Sequence, residues 1–275
     1  MMDKHLSIAR RAAEAASKKI MEFYGAQNVK VKMKGEFGPV TEADHAANEI
    51  ICTMLHKEFP EYGILTEEEI HNPELQHALK HWRETEYTWF IDPLDGTDPF
   101  IHMTGEFGIH IGLTHKGIPV MGLNRYPVQG ITYWAVKGKG AFKESNGKQE
   151  KISVSNIENM KDMRVFTDPF YPIKAVEELL TKIPHSTVRD VGSLGLRICK
   201  VAEGEGDALI RPPINSKTHL WDVCSGHVIL TEAGGMITDY FGKPINYRSA
   251  EYVLAKGYVI TNGKLHKSLL EQTHI

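Results

Sequence analysis

The sequence predicts an α/β fold in which helices and sheets are stacked in layers. Two helical segments open the chain, several β-strands follow, and helices and strands then alternate towards the C-terminus. The chain has 275 residues, of which 41% are hydrophobic and 24% are charged. This length and composition are typical of a globular protein with one large domain or two modest domains that share an interface.

The N-terminal segment favours two helices and a short strand. Apolar residues from Ala9 to Phe23 recur at three- and four-residue spacing, and Gly25 can end that helix. Thr41-Glu42-Ala43-Asp44 has the pattern of a reciprocal helix cap at the start of a second helix. Tyr62 to Thr66 is typical of a short strand, and it leads into the acidic run Glu67-Glu68-Glu69.

From Tyr87 onward the sequence favours β-strands. Thr88 to Ile91 is a short apolar strand that ends at Asp92. The strands predicted after it, with Gly or Pro between them, are Phe107 to Thr114, Val120 to Tyr126 and Ile131 to Val136.

A polar run from Lys143 to Lys151 predicts a domain boundary near residue 150. We expect an N-terminal α+β domain, residues 1–150, and a C-terminal α/β domain, residues 151–275, that supplies Asp222 and substrate contacts. In the second half the predicted helices are Ala175 to Ile183, Leu194 to Glu203 and Trp221 to Ala233, and the predicted strands are Thr187 to Asp190, Asp207 to Arg211 and Tyr258 to Thr261. This alternation is typical of layered α/β structure.

The composition disfavours several classes of protein. With 32 basic and 35 acidic residues the formal charge is −3, whereas a broad nucleic-acid surface needs a basic excess. Cys52, Cys199 and Cys224 are far apart, which predicts reduced thiols and not disulfides or a zinc site. The sequence shows neither a signal-peptide pattern nor a membrane-spanning apolar run, so we expect a cytoplasmic protein with no membrane or nucleic-acid polymer partner.

The run Asp92-Pro93-Leu94-Asp95-Gly96-Thr97 is the most informative candidate for a site. It follows a strand, and α/β proteins place their sites at the carboxyl ends of strands. Two carboxylates three residues apart, in a turn stiffened by Pro93, can converge on the same cations, and such oxygen ligands suit Mg²⁺ or Mn²⁺. Gly96 lets the backbone approach an anion, and the amides after it can hold a phosphate together with the Thr97 hydroxyl.

Each acidic segment alone has a simpler interpretation. The first is a common polar turn, Glu67 belongs to a run typical of solvated charge, and Asp222 is a favourable partner for a helix dipole. Buried together, however, Glu67, Asp92, Asp95 and Asp222 would repel one another and would stay ionised only beside cations. Two metal ions about 3.5–4 Å apart would satisfy them and form a phosphoryl-transfer site.

The spacing of the two aspartates also predicts the nucleophile. An aspartyl nucleophile needs D-x-D, but two residues separate Asp92 from Asp95. We therefore expect water to attack phosphorus without a covalent phosphoenzyme. Glu67, Thr97 and Asp95 are the predicted catalytic residues, with Glu67 and Thr97 orienting the water.

Several segments resemble the inositol monophosphatase superfamily, a set of magnesium-dependent, lithium-sensitive phosphomonoesterases. The matching stretches are VTEAD at Val40 to Asp44, ILTEEE at Ile64 to Glu69, WFIDPLDGT at Trp89 to Thr97, GKGAF at Gly138 to Phe142, KVAEG at Lys200 to Gly204, WDVCSGHVILTEAGG at Trp221 to Gly235 and DYFGKPINY at Asp239 to Tyr247. Together they cover nearly the whole chain, and the pairing of DPLDGT with WD…EAGG is highly specific.

The resemblance implies a layered α/β/α/β/α sandwich of the inositol monophosphatase and sugar phosphatase type, commonly a homodimer. It implies two or three Mg²⁺ per site, with Mn²⁺ as an alternative. The implied metal ligands are Glu67, Asp92, the Leu94 carbonyl, Asp95 and Asp222. Gly96 and Thr97 are the implied phosphate-binding residues, and a small phosphate ester is the implied substrate.

Within the superfamily the chain is most similar to the 3′(2′),5′-bisphosphate nucleotidases. The stretches that carry this likeness are GPVTEAD at Gly38 to Asp44, GEF at Gly105 to Phe107 with Ile109-His110-Ile111 after it, and Gly117 to Val120. This implies hydrolysis of 3′-phosphoadenosine 5′-phosphate to AMP. Inositol-1-monophosphatase and fructose-1,6-bisphosphatase activities are the alternatives, and a non-catalytic phosphate-binding homologue is an alternative of another class.

Three departures from the superfamily pattern bear on the substrate. Asn215 stands where inositol monophosphatases carry an acidic residue that contacts inositol hydroxyls, and Arg164 to Phe170 replaces the Ser/His-rich segment usual in the nucleotidases. Asp98 adds a negative charge beside the phosphate site, or it caps the next helix. The predicted substrate contacts are Ser193, Asn215 and His219, with Lys34 as a weaker candidate and His227 as a helix-packing residue.

Overall fold

The computed structural model describes residues 2–25, 31–33, 39–70, 82–171, 173–214, 217–249 and 251–273. Its helices are α1 (Met2–Phe23), α2 (Glu42–Glu58), α3 (Glu67–Ile70), α4 (Thr97–Ile101), α5 (Lys174–Leu180), α6 (Leu194–Ala202), α7 (Leu220–Glu232) and α8 (His266–Thr273), with a 3₁₀ turn at Met160–Asp162. Among these, no helix combines the length and the apolar character that crossing a bilayer requires.

The strands form two main sheets and one two-stranded sheet. The small sheet pairs β1 (Val31–Met33) with β2 (Pro39–Thr41) in antiparallel fashion. The first sheet contains β3 (Gly63–Thr66), β4 (Tyr87–Asp95), β5 (Gly108–His115), β6 (Ile118–Tyr126), β7 (Ile131–Val136), β8 (Gly140–Ser145) and β9 (Lys148–Ile152). The second contains β10 (Arg164–Thr167), β11 (Thr187–Asp190), β12 (Ala208–Arg211), β13 (Met236–Thr238) and β14 (Tyr258–Thr261).

The two sheets differ in topology. The seven strands of the first lie side by side in chain order, and only β3 and β4 run parallel. The second has the order β11-β10-β12-β14-β13, in which β10 pairs in parallel with β11 and β12 while β14 is antiparallel to its neighbours. From β5 to β9 the first sheet is therefore a meander that short turns connect, whereas the parallel pair β3–β4 and the parallel pairs of the second sheet need crossovers.

Three apolar clusters show that the sheets and helices are layered. Along β4, Trp89 and Ile91 belong to the cluster with α1 and α2, whereas Phe90 belongs to the cluster with α6 and α7. This alternation follows from the two-residue period of a strand. The third cluster joins the opposite face of the second sheet to α5 and α8, through residues such as Val176 and Leu269. The layers are thus α/β/α/β/α, which confirms the predicted fold class.

Two glycines let α7 lie directly on the first sheet. A Cβ atom at Gly122 of β6 would lie 2.1 Å from the Ser225 carbonyl oxygen, and one at Gly112 of β5 would lie 2.6 Å from Cys224 Sγ. Because the backbones approach so closely, the start of α7, which carries Asp222, is brought beside the end of β4. The two sheets also share one apolar cluster, so the predicted domain division at residue 150 stays a prediction.

The predicted reciprocal cap at the start of α2 is confirmed. The Thr41 hydroxyl accepts a hydrogen bond from Ala43 N at 3.1 Å, and Thr41 N donates to Asp44 Oδ2 at 2.8 Å. A cap of this kind stabilises a helix by about 1 kcal/mol. It also fixes the Asp44 carboxylate near the site described below.

Several elements differ from the sequence prediction. The polar run that ends the first predicted unit forms a hairpin of β8 and β9, and β9 was not predicted because four of its five residues are exposed. The short elements β10, β13 and α8 were not predicted either. The strand expected to end at Asp92 continues to Asp95, with a register irregularity between these two residues.

Candidate active site

The end of β4 places two carboxylates in one turn. Asp92 is only 2% exposed, and its Oδ1 accepts a hydrogen bond from Leu94 N at 3.0 Å. Pro93 has no N–H to donate to the neighbouring strand, so the ladder is interrupted where the pairing register shifts. The irregularity turns both Asp92 and Asp95 towards one cavity.

That cavity has a volume of about 510 Å³ and brings together acids from separated segments. Its lining includes eight of the residues predicted for the site: Glu67, Asp92, Leu94, Asp95, Gly96, Thr97, His219 and Asp222. The acids expected to meet therefore do meet, although they come from α3, β4 and α7.

The carboxylates act on one another electrostatically. Burial raises the pKa of Asp92 well above its usual value, and the negative charges of Glu67, Asp95 and Asp222 raise that pKa further. Burial also raises the pKa of Asp222. In the described part of the chain, no lysine or arginine forms an ion pair with Asp92, Asp95 or Asp222. Among the described residues, these three aspartates therefore lack a basic partner that would let them ionise together.

Asp95 is held from behind by α6. Its Oδ2 accepts hydrogen bonds from the Ser193 hydroxyl and from Gly195 N, the latter at 3.1 Å. Ser193 is the N-cap of α6, fully buried, and its Oγ also accepts from Leu196 N. The observed contacts of Ser193 are thus with Asp95 and with its own helix, and the substrate contact expected for it stays a prediction.

Asp222 is fixed by the first turn of α7. Its Oδ2 accepts a hydrogen bond from His219 N at 2.7 Å. The His219 ring stacks on Trp221 with centroids 4.4 Å apart, and it lies in the wall of the cavity. Further along the same helix, His227 Nδ1 lies 3.0 Å from the Tyr247 hydroxyl, and neither residue belongs to the cavity lining.

Thr97 and Gly96 form the other side of the turn. Thr97 Oγ1 lies 3.3 Å from Asp44 Oδ1 and 3.4 Å from the Leu94 carbonyl oxygen, so Asp44 joins the site through Thr97. From the sequence, Asp44 was predicted only as a helix-cap residue, although its position in the VTEAD stretch was a signal for a site residue. Gly96 has φ +88°, and a Cβ there would lie 2.9 Å from the Glu106 carbonyl oxygen, so the turn requires glycine.

Asp98 and the segment from Arg164 to Phe170, which differ from the superfamily pattern, form polar contacts within the protein. The Asp98 carboxylate accepts a hydrogen bond from the Tyr171 hydroxyl, and Asp168 forms an ion pair with Arg197 at 2.6 Å. Arg164 begins β10 and pairs with Asp207 at 2.8 Å. Asn215 and Lys34 lie outside the described residues.

The donor set fits a divalent metal ion. Carboxylate and carbonyl oxygens are the ligands of hard cations such as Mg²⁺ and Mn²⁺. The rise in the pKa of Asp92 shows that the acids repel one another without an added positive charge. These oxygens lie beside a glycine turn that lets backbone amides approach an anion closely. Together, fold and site define a metal-dependent phosphatase.

The chain belongs to the inositol monophosphatase family, because the family model matches residues 1–275. It is 32% identical over 262 residues to the 3′(2′),5′-bisphosphate nucleotidase CysQ of Escherichia coli K12, covering 95% of this chain and 99% of that protein. It is 33% identical over 248 residues to the protein of the same name from Buchnera aphidicola, covering 90% and 87%. As a member of this family the protein is a metal-dependent phosphoric monoester hydrolase.

Solved structures agree with the fold. An IMPase from Thermotoga maritima superimposes with a TM-score of 0.80 at 27% identity, covering 100% of this chain and 97% of that chain. The inositol monophosphatase from Anabaena gives 0.77 at 27% identity, covering 99% and 96%. The likeness extends over both sheets and all layers.

Proposed function

We propose that the protein is a Mg²⁺-dependent 3′(2′),5′-bisphosphate nucleotidase that converts 3′-phosphoadenosine 5′-phosphate to AMP. The convergence of Asp92, Asp95, Asp222 and Glu67 on one cavity carries the proposal for the reaction. The proposal for the substrate is supported by the near full-length relatives named as bisphosphate nucleotidases.

Glu67, Asp92, the Leu94 carbonyl, Asp95 and Asp222 would hold two or three Mg²⁺ ions. When bound, these ions supply the positive charge that activates water and stabilises the leaving oxygen. The chain itself fixes the ligands: Leu94 N orients Asp92, α6 orients Asp95, and His219 N orients Asp222. Such preorganisation is the contribution of the protein to a phosphoryl-transfer site.

Glu67 and Thr97 would orient the attacking water. Thr97 Oγ1 lies between Asp44 Oδ1 and the Leu94 carbonyl oxygen, so its hydroxyl orientation is limited by two acceptors. In the proposed step, the water oxygen bonds to phosphorus, Glu67 takes the water proton, the ester P–O bond breaks, and the departing ribose oxygen takes a proton from solvent water. The backbone amides that follow Gly96 would hold the phosphate oxygens.

The cavity lining supports a substrate that carries a second anionic group. Beyond the acids, the wall includes the basic residues Arg197, Arg211 and Lys217. Asp168 forms an ion pair with Arg197, and Arg211 and Lys217 belong to the same lining. Basic side chains in the wall are the kind of group that binds the second phosphate of a bisphosphorylated nucleotide.

Phosphate release from a substrate panel tests the proposal. The panel contains 3′-phosphoadenosine 5′-phosphate, inositol 1-phosphate and fructose 1,6-bisphosphate, each with Mg²⁺ and then with Li⁺ added. We expect kcat/KM at least tenfold higher for the nucleotide, and inhibition by Li⁺. Inositol 1-phosphate is the second candidate because the solved relatives include inositol monophosphatases; a preference for it would replace the nucleotide assignment. No metal-dependent release from any of the three would contradict the reaction itself.

We also propose a homodimer in the cytoplasm, as the superfamily resemblance implies. Size-exclusion chromatography with light scattering tests the dimer, and a monomeric mass would contradict it.

A further inference from the structure

His110 lies directly behind the acid cluster. It is on β5, paired across the sheet with Asp92, and it is fully buried. Its Nε2 atom lies 3.3 Å from Asp95 Oδ2. Its Nδ1 atom is buried without a hydrogen-bond partner among the described residues. A polar ring in this position needs an explanation, because a buried and unsatisfied nitrogen costs about 1–3 kcal/mol.

Gly195 and His110 fit each other. A Cβ atom at Gly195 would lie 2.1 Å from His110 Nε2 and 2.2 Å from its Cε1, so the imidazole has space only because residue 195 is glycine. Gly195 N donates to the same oxygen, Asp95 Oδ2, at 3.1 Å. Gly195 therefore leaves space for the His110 ring, and its N–H binds the same Asp95 oxygen that the ring faces.

The geometry assigns His110 a place behind the carboxylate. Oδ2 of Asp95 is surrounded by the Ser193 hydroxyl, Gly195 N and His110 Nε2, whereas Oδ1 makes no hydrogen bond within the described ranges. One ligand atom each from Asp92, Asp95 and His110 lies within 4.8 Å of the others, which raises the alternative that His110 is itself a metal ligand. An ion shared by Oδ2 and Nε2 would have to displace two hydrogen bonds, so Oδ1 is the better oxygen for a metal.

The protonation of the ring agrees with this placement. Nε2 has two polar neighbours, Asp95 Oδ2 at 3.3 Å and the Tyr126 hydroxyl at 3.5 Å. A proton on Nε2 faces the negative Asp95 oxygen, whereas a lone pair there would be repelled by it. We therefore assign the ring proton to Nε2, directed at Asp95 Oδ2.

We propose that His110 is a positioning residue that orients Asp95 and thereby sets the affinity of the metal centre. This inference rests on the proposed function, because it requires Asp95 to bind a metal ion. Residues behind metal ligands typically change metal affinity by about 10–100-fold when they are replaced.

Two matched variants test the proposal. His110→Phe keeps a planar ring and removes both nitrogens, whereas His110→Gln keeps an N–H donor near the position of Nε2. Isothermal titration calorimetry measures Mg²⁺ binding to the substrate-free protein, and thermal unfolding shows whether each variant is folded. We expect the phenylalanine variant to bind Mg²⁺ about 10–100-fold more weakly, and the glutamine variant to stay within about threefold of wild type.

A second readout separates positioning from general damage. In the phenylalanine variant, the Mg²⁺ concentration for half-maximal activity should rise, while KM for the substrate at saturating Mg²⁺ stays near the wild-type value. If His110→Phe does not fold, the smaller His110→Leu replaces it in the same comparison. Wild-type Mg²⁺ affinity in the folded apolar variant would overturn the role of His110 and leave the proposed function intact. No Mg²⁺ binding by the wild type would instead overturn the metal centre, and this inference with it.

Discussion

Two buried aspartates in this protein have opposite electrostatic environments. Asp207 is fully buried, and Arg164 donates three hydrogen bonds to its carboxylate, at 2.8, 2.8 and 2.9 Å. Although burial alone would raise its pKa, the hydrogen bonds from Arg164 and Ser155 lower the pKa of Asp207 below its usual value. Asp92 is equally buried and accepts a hydrogen bond from Leu94 N, but burial and three acidic neighbours raise its pKa.

The difference separates a structural carboxylate from one that requires a ligand. A buried charge is stable when donors of the protein itself surround it, as around Asp207. A buried carboxylate among other carboxylates is stable as an anion only when a cation is added. Burial alone therefore does not identify a metal ligand; the kind of partner does.

The largest expected effect concerns the reaction. Asp95→Asn keeps the shape of the side chain but removes a charge that the proposed metal centre needs, so kcat/KM should fall by about a thousandfold or more, equal to about 4 kcal/mol. Phosphate release at saturating Mg²⁺ measures it. Asp162→Asn, at an exposed site in the 3₁₀ turn, is the control and should keep wild-type activity. Full activity of Asp95→Asn would refute the assigned site.

The next effect concerns the structural aspartate. Asp207→Asn should lower the free energy of unfolding by about 2–3 kcal/mol, because Arg164 loses its charged partner and several hydrogen bonds weaken. Urea unfolding monitored by circular dichroism measures this. Activity per folded molecule should stay near wild type, since Asp207 is absent from the lining of the acidic cavity. Unchanged stability would show that the Arg164 pair contributes nothing.

His227 is a third ionisable group, and its pKa predicts how stability depends on pH. Burial lowers the pKa of His227 to about 4, whereas an unfolded histidine titrates near 6.5. Below pH 6.5 the unfolded chain therefore binds a proton that the folded chain resists, so stability falls as pH decreases towards 4. Its share of the loss between pH 7 and pH 5 is about 2 kcal/mol.

His227→Gln tests this pH dependence because it keeps a polar group near the Tyr247 hydroxyl and does not titrate. Unfolding free energies at pH 7 and pH 5 should differ by about 2 kcal/mol less in the variant than in wild type. Identical pH profiles for the two proteins would mean that His227 is protonated without cost in the fold.

The smallest expected effect is an increase in stability when Asp92 is replaced in the metal-free protein. Without metal, Asp92→Asn should stabilise the protein by about 1 kcal/mol, because it removes a carboxyl group whose pKa is raised by burial and three acidic neighbours and which therefore destabilises the fold at neutral pH. Thermal unfolding in the presence of a chelator measures it. With excess Mg²⁺ the order should reverse, since ion binding stabilises only the protein that has the complete ligand set. Destabilisation by Asp92→Asn in chelator would contradict the repulsion.

Much of the fold and the acid cluster could be predicted from the sequence. The helices α1, α2 and α7 have clear periodicity or caps, and the strands of the first sheet are bounded by Gly and Pro. Asp92 and Asp95 were recognisable because they follow a strand in a motif with specific spacing. The strands β9 and β11 are both short and largely exposed. β9 lacks the apolar alternation that identifies a strand, whereas the β-branched residues of β11 indicated one.

The contacts behind the ligands could not be predicted, because they join residues distant in the chain. Ser193 reaches Asp95 across 98 residues, and Asp44 reaches Thr97 across 53. Periodicity and spacing report only local structure. For that reason the sequence predicted Ser193 as a substrate contact and Asp44 as a helix cap, and not as partners of Asp95 and Thr97. The close packing of α7 on Gly112 and Gly122 could not be predicted either, because it depends on how the helix and the sheet pack in the folded protein.

The central claim is that divalent ions neutralise the acids at the end of β4. The most direct test is anomalous diffraction from crystals soaked in Mn²⁺, with soaked Asp92→Asn crystals as the control. We expect a strong anomalous peak about 2.1 Å from carboxylate oxygens of Asp92 and Asp95, and a weaker peak in the variant. No peak there, while the same crystals show Mn²⁺ elsewhere, would contradict it.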